Sequence, residues 1–209
     1  MLEYEFETHE EMVQYRSIGK EKLSITVDKI ANLYLKNDKA WVIGFSGGKD
    51  STVVLSLVFQ ALTTLKKEQL TKKVYVVCSD TLVETPVVVG LIRKTLKDVQ
   101  ECADKKGIPL ITQVVIPEIN ETFWSNLLGK GYPAPTKSFR WCTERMKINP
   151  VSEFIQGTVS NHGEVIVALG SRSQESATRA QSIAKHSIKG SELARHSSLP
   201  NAFTYLPIE

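Results

Sequence analysis

The chain has 209 residues, 42% of them hydrophobic and 23% charged, with a net charge of +3. This mix excludes wholesale disorder, a fibrous repeat and a disulfide-dense miniprotein, and a chain of this length buries a core without covalent staples. No stretch approaches the roughly 18 apolar residues of a membrane helix, and Met1 to Met12 is acidic, without the basic-then-apolar order of a signal peptide, so a cytoplasmic protein with no membrane partner is expected.

In chain order, Ser17 to Lys36 places Ile18, Ile25, Ile30, Ala31 and Tyr34 near helical spacing, and Asn37-Asp38 breaks the pattern. Trp41 to Phe45 is a short buried strand, and Ser46-Gly-Gly-Lys-Asp50 is a turn. From Ser51 to Leu65, Val54, Leu57, Val58, Ala61, Leu62 and Leu65 form one helix face. Val74 to Cys78 is a second strand. A polar loop, Ser79 to Pro86, leads to a helix over Val87 to Lys106, with Gly107 as its stop. Leu110 to Ile116 is a third strand closed by Pro117, Pro150 to Gln156 opens a short helix, and Glu164 to Leu169 is a further strand.

Strands alternating with helices predict an α/β fold: a doubly wound, mainly parallel sheet with helices on both faces. We read one domain over residues 1–209, with a helical lead-in (1–39), a core (40–170) and a substrate-side segment (171–209). Such folds bind ligands at the carboxyl ends of their strands, and the loops at 46, 79 and 170 each follow a strand at that edge.

Ser46-Gly-Gly-Lys-Asp-Ser51-Thr52 sits between a strand and a helix. Gly47 and Gly48 let the backbone turn tightly, and free N–H groups at the helix start form a nest for phosphate. Ser46 and Ser51 add hydroxyls and Lys49 adds a charge. Asp50 beside a phosphate calls for an intervening cation, which points to Mg²⁺. The Walker pattern fails: Gly44 to Gly48-Lys49 leaves too few residues, and Asp50 follows the lysine. Asp80 either contacts the nucleotide or caps a polar turn. Glu84-Thr85-Pro86 also reads as the start of the next helix.

Arg140, Arg145 and Lys147 flank Trp141 and Cys142, and positive neighbours favour a reactive thiolate; the alternative is a packed free cysteine. Cys78 is read as core, and Cys102 as core or inert surface. Gly170 to Arg179 follows the last strand. There Arg172 and Arg179 could grip phosphate, Glu175 could orient either, and Gly170 could let a nucleotide ring pass; the alternative is a polar helix start with a Glu175–Arg179 pair. The histidines show no ligand spacing. Residues 1–129 hold 16 Lys+Arg and 17 Asp+Glu, whereas residues 130–209 hold 10 and 6. The basic second part suits an anionic ligand, although a solvated basic face gives the same balance.

The motif Ser46-Gly-Gly-Lys-Asp-Ser51 resembles the PP-loop of the N-type ATP pyrophosphatases, whose fold is the adenine nucleotide alpha hydrolase-like (HUP-type) α/β sheet. Taken with Ser79 to Thr85, Gly131-Tyr-Pro-Ala-Pro135, Arg140-Trp-Cys-Thr-Glu-Arg145 and Leu169 to Ala180, the set resembles the DndC and SspD proteins of bacterial DNA phosphorothioation over about residues 30–180. The resemblance implies an ATP pyrophosphatase and sulfurtransferase that adenylylates a DNA phosphate and releases pyrophosphate. The partners implied are DNA, a cysteine desulfurase and other phosphorothioation proteins.

By the same resemblance Ser46, Gly47, Gly48, Lys49, Asp50, Ser51, Asp80 and Gly170 hold ATP, with Asp50 on Mg²⁺. Arg140, Arg172, Glu175 and Arg179 hold the acidic substrate, and Cys142 relays sulfur or is a single ligand of an iron–sulfur cluster. Lys49, Asp50, Arg172 and Cys142 are the expected catalytic residues. The cluster itself is not expected from this chain alone, because three dispersed cysteines cannot supply four thiolates. An adenylylsulfate-type reductase, a tRNA sulfurtransferase and a non-catalytic nucleotide-binding scaffold are the competing readings.

Overall fold

The computed structural model describes residues 9–136 and 138–209, with side chains described from Gly19 onward. Residues 1–8 of the expected lead-in, and the Ile18 side chain, lie outside the described part. The main chain forms helices α1 (His9–Leu35), α2 (Lys49–Thr64), α3 (Pro86–Lys106), α4 (Trp141–Thr143), α5 (Asn149–His162) and α6 (Ala177–His186). The strands are β1 (Ala40–Gly44), β2 (Val74–Ser79), β3 (Leu110–Val115), β4 (Val165–Ala168), β5 (Leu193–Arg195) and β6 (Ala202–Tyr205).

The sheet has six strands in the order β3-β2-β1-β4-β6-β5. All neighbours run parallel except β5, which closes one edge antiparallel to β6. The chain winds outward from β1 to β2 and β3, then returns to place β4 on the other side of β1. The order therefore reverses between β1 and β4, and sheets of this kind bind ligands at the carboxyl ends of the strands at such a switch point.

Alternation along the strands explains the two layers. Trp41 and Ile43 of β1 face a core shared with α1, α2 and α3, through Tyr34, Val54, Leu62 and Leu96 among others. Ala40 and Val42 face the opposite core, where Ile155 of α5 packs with Val165 and Val167. Strands buried on both faces read as continuous apolar runs, which is why β1, β2 and β4 are plain in the sequence.

Helix α3 begins at Pro86 behind Thr85 and stops at Gly107, whose φ of +67° is the left-handed cap a glycine adopts readily. In α1 the inward face is Val27, Ile30, Ala31, Leu33 and Tyr34, whereas Ile25 is exposed, contrary to the spacing-based expectation. Residues 171–209, expected as a substrate-side segment beyond the core, supply β5 and β6 to the sheet. These strands escaped the sequence reading because three- and four-residue strands carry too little alternation to register. The short helix expected from Pro150 is longer: a π-helical turn, Glu144–Ile148, joins α4 to α5 and makes one helical passage from Trp141. Among the described residues, no helix is long and apolar enough to cross a membrane.

Candidate functional site

The glycine turn leaves β1 at its carboxyl end, next to the reversal of strand order. Gly47 has φ +73°, and a Cβ there would meet the Ile92 side chain at 2.9 Å, so both backbone and space call for glycine. Gly48 is the N-cap of α2 and provides no side-chain cap, which leaves the first-turn amides of that helix without a capping oxygen.

The hydroxyls brace the turn internally. The Ser46 amide donates to Ser51 Oγ at 3.2 Å, Ser51 Oγ donates to the Gly48 carbonyl at 2.9 Å, and Thr52 Oγ1 donates to the same carbonyl at 2.9 Å. The Gly48 amide reaches Ser46 Oγ at 3.4 Å. The amides of a helix N-terminus held open in this way attract an anion through their free donors and the helix dipole.

This turn forms one end of a cleft of about 810 Å³. Of the sequence-predicted residues, Ser46, Gly48, Lys49, Asp50, Ser51, Gly170, Glu175 and Arg179 line it. Apolar walls come from Val88, Ile92, Val151, Ile155 and Leu169, with Ser79, Glu84, Lys147, Ser152 and His196 as polar additions. Lys147 was legible in the sequence only as a cation near Cys142, and His196 only as a histidine without ligand spacing. The π-helical turn carries Lys147 to the cleft, anchored by Ser79 Oγ donating to the Met146 carbonyl at 2.7 Å. Lys147 faces Glu84 at 3.4 Å.

The structure brings Asp50 and Arg172 together, with Arg172 Nη2 3.3 Å from Asp50 Oδ2. They were expected in separate roles, one on Mg²⁺ and one on substrate. Among the described residues no group of three His, Cys, Asp or Glu side chains could hold a metal. Asp50 is turned to a guanidinium, so these side chains do not form a dedicated cation site. Arg172 Nε is buried without a partner, a donor left unused beside the glycine turn.

Glu175 settles the second arginine. Its carboxylate accepts from the Arg172 amide at 2.9 Å and is ion-paired with Arg179 one helical turn on, while Ser176 caps α6. The helix-start pairing and the cleft lining thus coexist. Gly170 also meets the start of α2. A Cβ there would lie 2.8 Å from the Asp50 carbonyl carbon, so the missing side chain admits the start of α2.

Five expected site residues are not among those lining the cleft: Gly47, whose turn borders it, Arg172, which pairs with Asp50, and Asp80, Arg140 and Cys142. Asp80 accepts from the Leu82 amide at 3.0 Å and pairs with Arg93 at 3.4 Å, so it shapes its own loop. Arg140 precedes α4. Cys142 is half-buried. Its neighbour Trp141 is buried, stacks on Phe123 at 5.5 Å and donates to the Pro133 carbonyl at 3.0 Å. Arg145 is held by Glu121 and by Tyr132 Oη at 2.9 Å, and hydrogen bonds from Lys130 and then Arg145 hold the Glu121 carboxyl below its usual range. The cysteines show no gathering into a cluster site. Cys78, expected as core, is buried in β2, where burial pushes its thiol up to about 11.

Residues 40–190 match the phosphoadenosine phosphosulfate reductase domain. The chain belongs to that family. Phosphoadenosine phosphosulfate reductase domains take nucleotides, and the matched span holds the glycine turn, β4 and α6. The chain is 34% identical over 151 residues to Uncharacterized protein MJ0066 of Methanocaldococcus jannaschii, covering 72% of this chain and 26% of that one. It is 28% identical over 162 residues to Uncharacterized protein MJ0973 of the same organism, covering 78% and 33%. This domain thus spans about a quarter to a third of the length of those relatives. Family membership suggests nucleotide-dependent, sulfur-related chemistry.

Proposed function

We propose that this domain is an ATP pyrophosphatase of the PP-loop type that activates a phosphate oxygen for replacement by sulfur, as part of DNA phosphorothioate modification. The observation that carries the reading is the uncapped start of α2 behind Gly47 and Gly48, opening on the cleft at the sheet's switch point. Amides of residues 47–51 with Lys49 take the β- and γ-phosphates. Arg179 lines the same cleft and is available to the reacting phosphate, and the apolar wall of Val151, Ile155 and Leu169 suits the base. Asp50 holds Arg172 in place rather than serving as a metal ligand by itself, and Mg²⁺ accompanies the nucleotide.

A non-bridging oxygen of the acceptor attacks the α-phosphorus and the bond to pyrophosphate breaks. Arg179, positioned by Glu175, meets the negative charge of the acceptor. A persulfide sulfur from a cysteine desulfurase then bonds to the acceptor phosphorus, AMP leaves with the oxygen, and a thiol cleaves the remaining S–S bond. Activation by ATP is needed because a bare phosphate oxygen is a very poor leaving group. Cys142 lies outside the cleft lining, so sulfur is delivered by the partner.

The family match favours a second reading in which the acceptor is an adenylylated sulfate. Calorimetry with ATP and magnesium tests the first reading: measurable affinity is expected, and none overturns it, whereas an adenylylated sulfate already carries its AMP leaving group and calls for no ATP. Product chromatography separates AMP and pyrophosphate, the expected pair, from ADP and phosphate. Competition between a DNA duplex and adenosine phosphosulfate chooses the acceptor.

A further inference from the structure

The geometry points to His196 as a neutral hydrogen-bond donor for the acceptor, giving its Nε2–H to an oxygen of the phosphate or sulfate group that Arg179 holds. This rests on the acceptor side of the proposed function and adds a residue to it. His196 follows β5, its amide donates to the Ala202 carbonyl at 3.0 Å, and it lines the cleft with Glu175 and Arg179. Its Nδ1 faces the amides of Ser198 and Leu199 at 3.4 and 3.3 Å. Two N–H donors aimed at one ring nitrogen require that nitrogen to carry a lone pair, so the proton of the neutral ring sits on Nε2. Nε2 has no partner among the described residues.

Burial, and after it the neighbouring His186, pushes the His196 pKa below its usual 6.5, which keeps the ring uncharged at neutral pH. The cleft lining therefore carries one neutral donor along with Arg179, which is ion-paired with Glu175, and the cations Lys49 and Lys147. A donor that adds no charge suits an oxyanion of low charge such as a phosphodiester or the sulfate group of an adenylylated sulfate. It also excludes His196 as a proton acceptor, because Nδ1 is engaged by the main chain and Nε2 is already protonated.

Two replacements separate the ligand role from the turn. In His196→Asn the amide oxygen can still accept from the Ser198 and Leu199 amides, but the distal donor is gone. In His196→Gln the longer side chain keeps a distal N–H and gives up the turn acceptor. Calorimetric titration of the full chain with adenosine phosphosulfate, and separately with a short DNA duplex, distinguishes the two sources of oxyanion. For whichever ligand the wild-type chain takes, H196N is expected to bind about tenfold more weakly and H196Q within about threefold. Thermal melting should show the reverse order, with H196N closer to wild type.

Nitrogen-15 shifts of the ring at pH 7 provide an independent readout, and an Nε2-protonated neutral ring is expected. A ring protonated on Nδ1, full acceptor affinity in H196N, or no affinity of the wild-type chain for either ligand overturns the inference. ATP titration of the wild-type chain is run alongside. A chain that passes the histidine tests and takes no ATP fails the nucleotide reading and keeps this one.

Discussion

Gly170 and Asp50 are in backbone contact across the switch point, so the loop after β4 and the first turn of α2 share one surface. A Cβ on Gly170 would lie 2.8 Å from the Asp50 carbonyl carbon, 2.9 Å from its oxygen and 3.0 Å from the Ser51 amide nitrogen. All three atoms are main chain and cannot swing aside. Gly170→Ala is therefore expected to push α2 away from β4, cost about 1–3 kcal/mol in urea denaturation and weaken ATP binding at least ~tenfold. Wild-type ATP affinity in this variant would show that the contact does not set the phosphate nest.

Lys49 lines the cleft and makes no ion pair among the described residues, so its charge is available to an anion. Lys49→Ala should lower ATP affinity by roughly 10–100-fold while leaving the urea midpoint within about 0.5 kcal/mol of wild type. Calorimetry and denaturation on the same preparation check both halves.

Lys72 ties α1 to the sheet. Only 8% exposed, it lies 4.2 Å over the Tyr34 ring, and its ammonium binds the Tyr34 and Asn37 carbonyls at the end of α1. A cation at a helix C-terminus meets orphan carbonyls and the negative end of the dipole. Tyr34 Oη completes the clamp, donating to the Lys72 carbonyl at 2.9 Å. Lys72→Met keeps the apolar stem and removes the donor. It should cost about 2–3 kcal/mol, read as a lower urea midpoint, because two carbonyls lose a charged partner.

Alkaline pH should destabilise the domain. Burial raises Tyr205 from 10.0 to about 12 and Cys78 from 9.0 to about 11, and Tyr34 is raised in the same sense. The folded chain thus retains protons that the unfolded chain releases, so stability is full below pH 9 and falls as pH rises from 9 to 12. Each group shifted by two units contributes roughly 2–3 kcal/mol to that fall. Lys72, lowered by burial, acts in the opposite sense below 10.5. Tyr205→Phe and Cys78→Ala should each flatten their own part of the slope, as read from urea midpoints between pH 8 and 12.

Local chemistry was legible wherever one short segment holds it all. The strand, the two glycines and the following helix at 41–65 are contiguous, so spacing alone places a tight glycine turn between a buried strand and a helix. The same holds for α3, which starts at Pro86 and ends at Gly107. Sequence order also puts the loops at 46 and 170 on one edge of the sheet, because parallel strands all end there.

What the chain order cannot state is which side chains from different loops meet. Asp50 and Arg172 are 122 positions apart and form an ion pair; Asp80 follows a strand at the right edge and yet turns into its own loop. Lys147 reaches the cleft because one π-helical turn alters the phase of its helix, and His196 reaches it because β5 and β6, too short to leave a periodic trace, fold back beside β4. Periodicity records only the burial of a local face. The composition of a site depends on crossovers that join distant residues, and their partners are fixed by packing over the whole sheet.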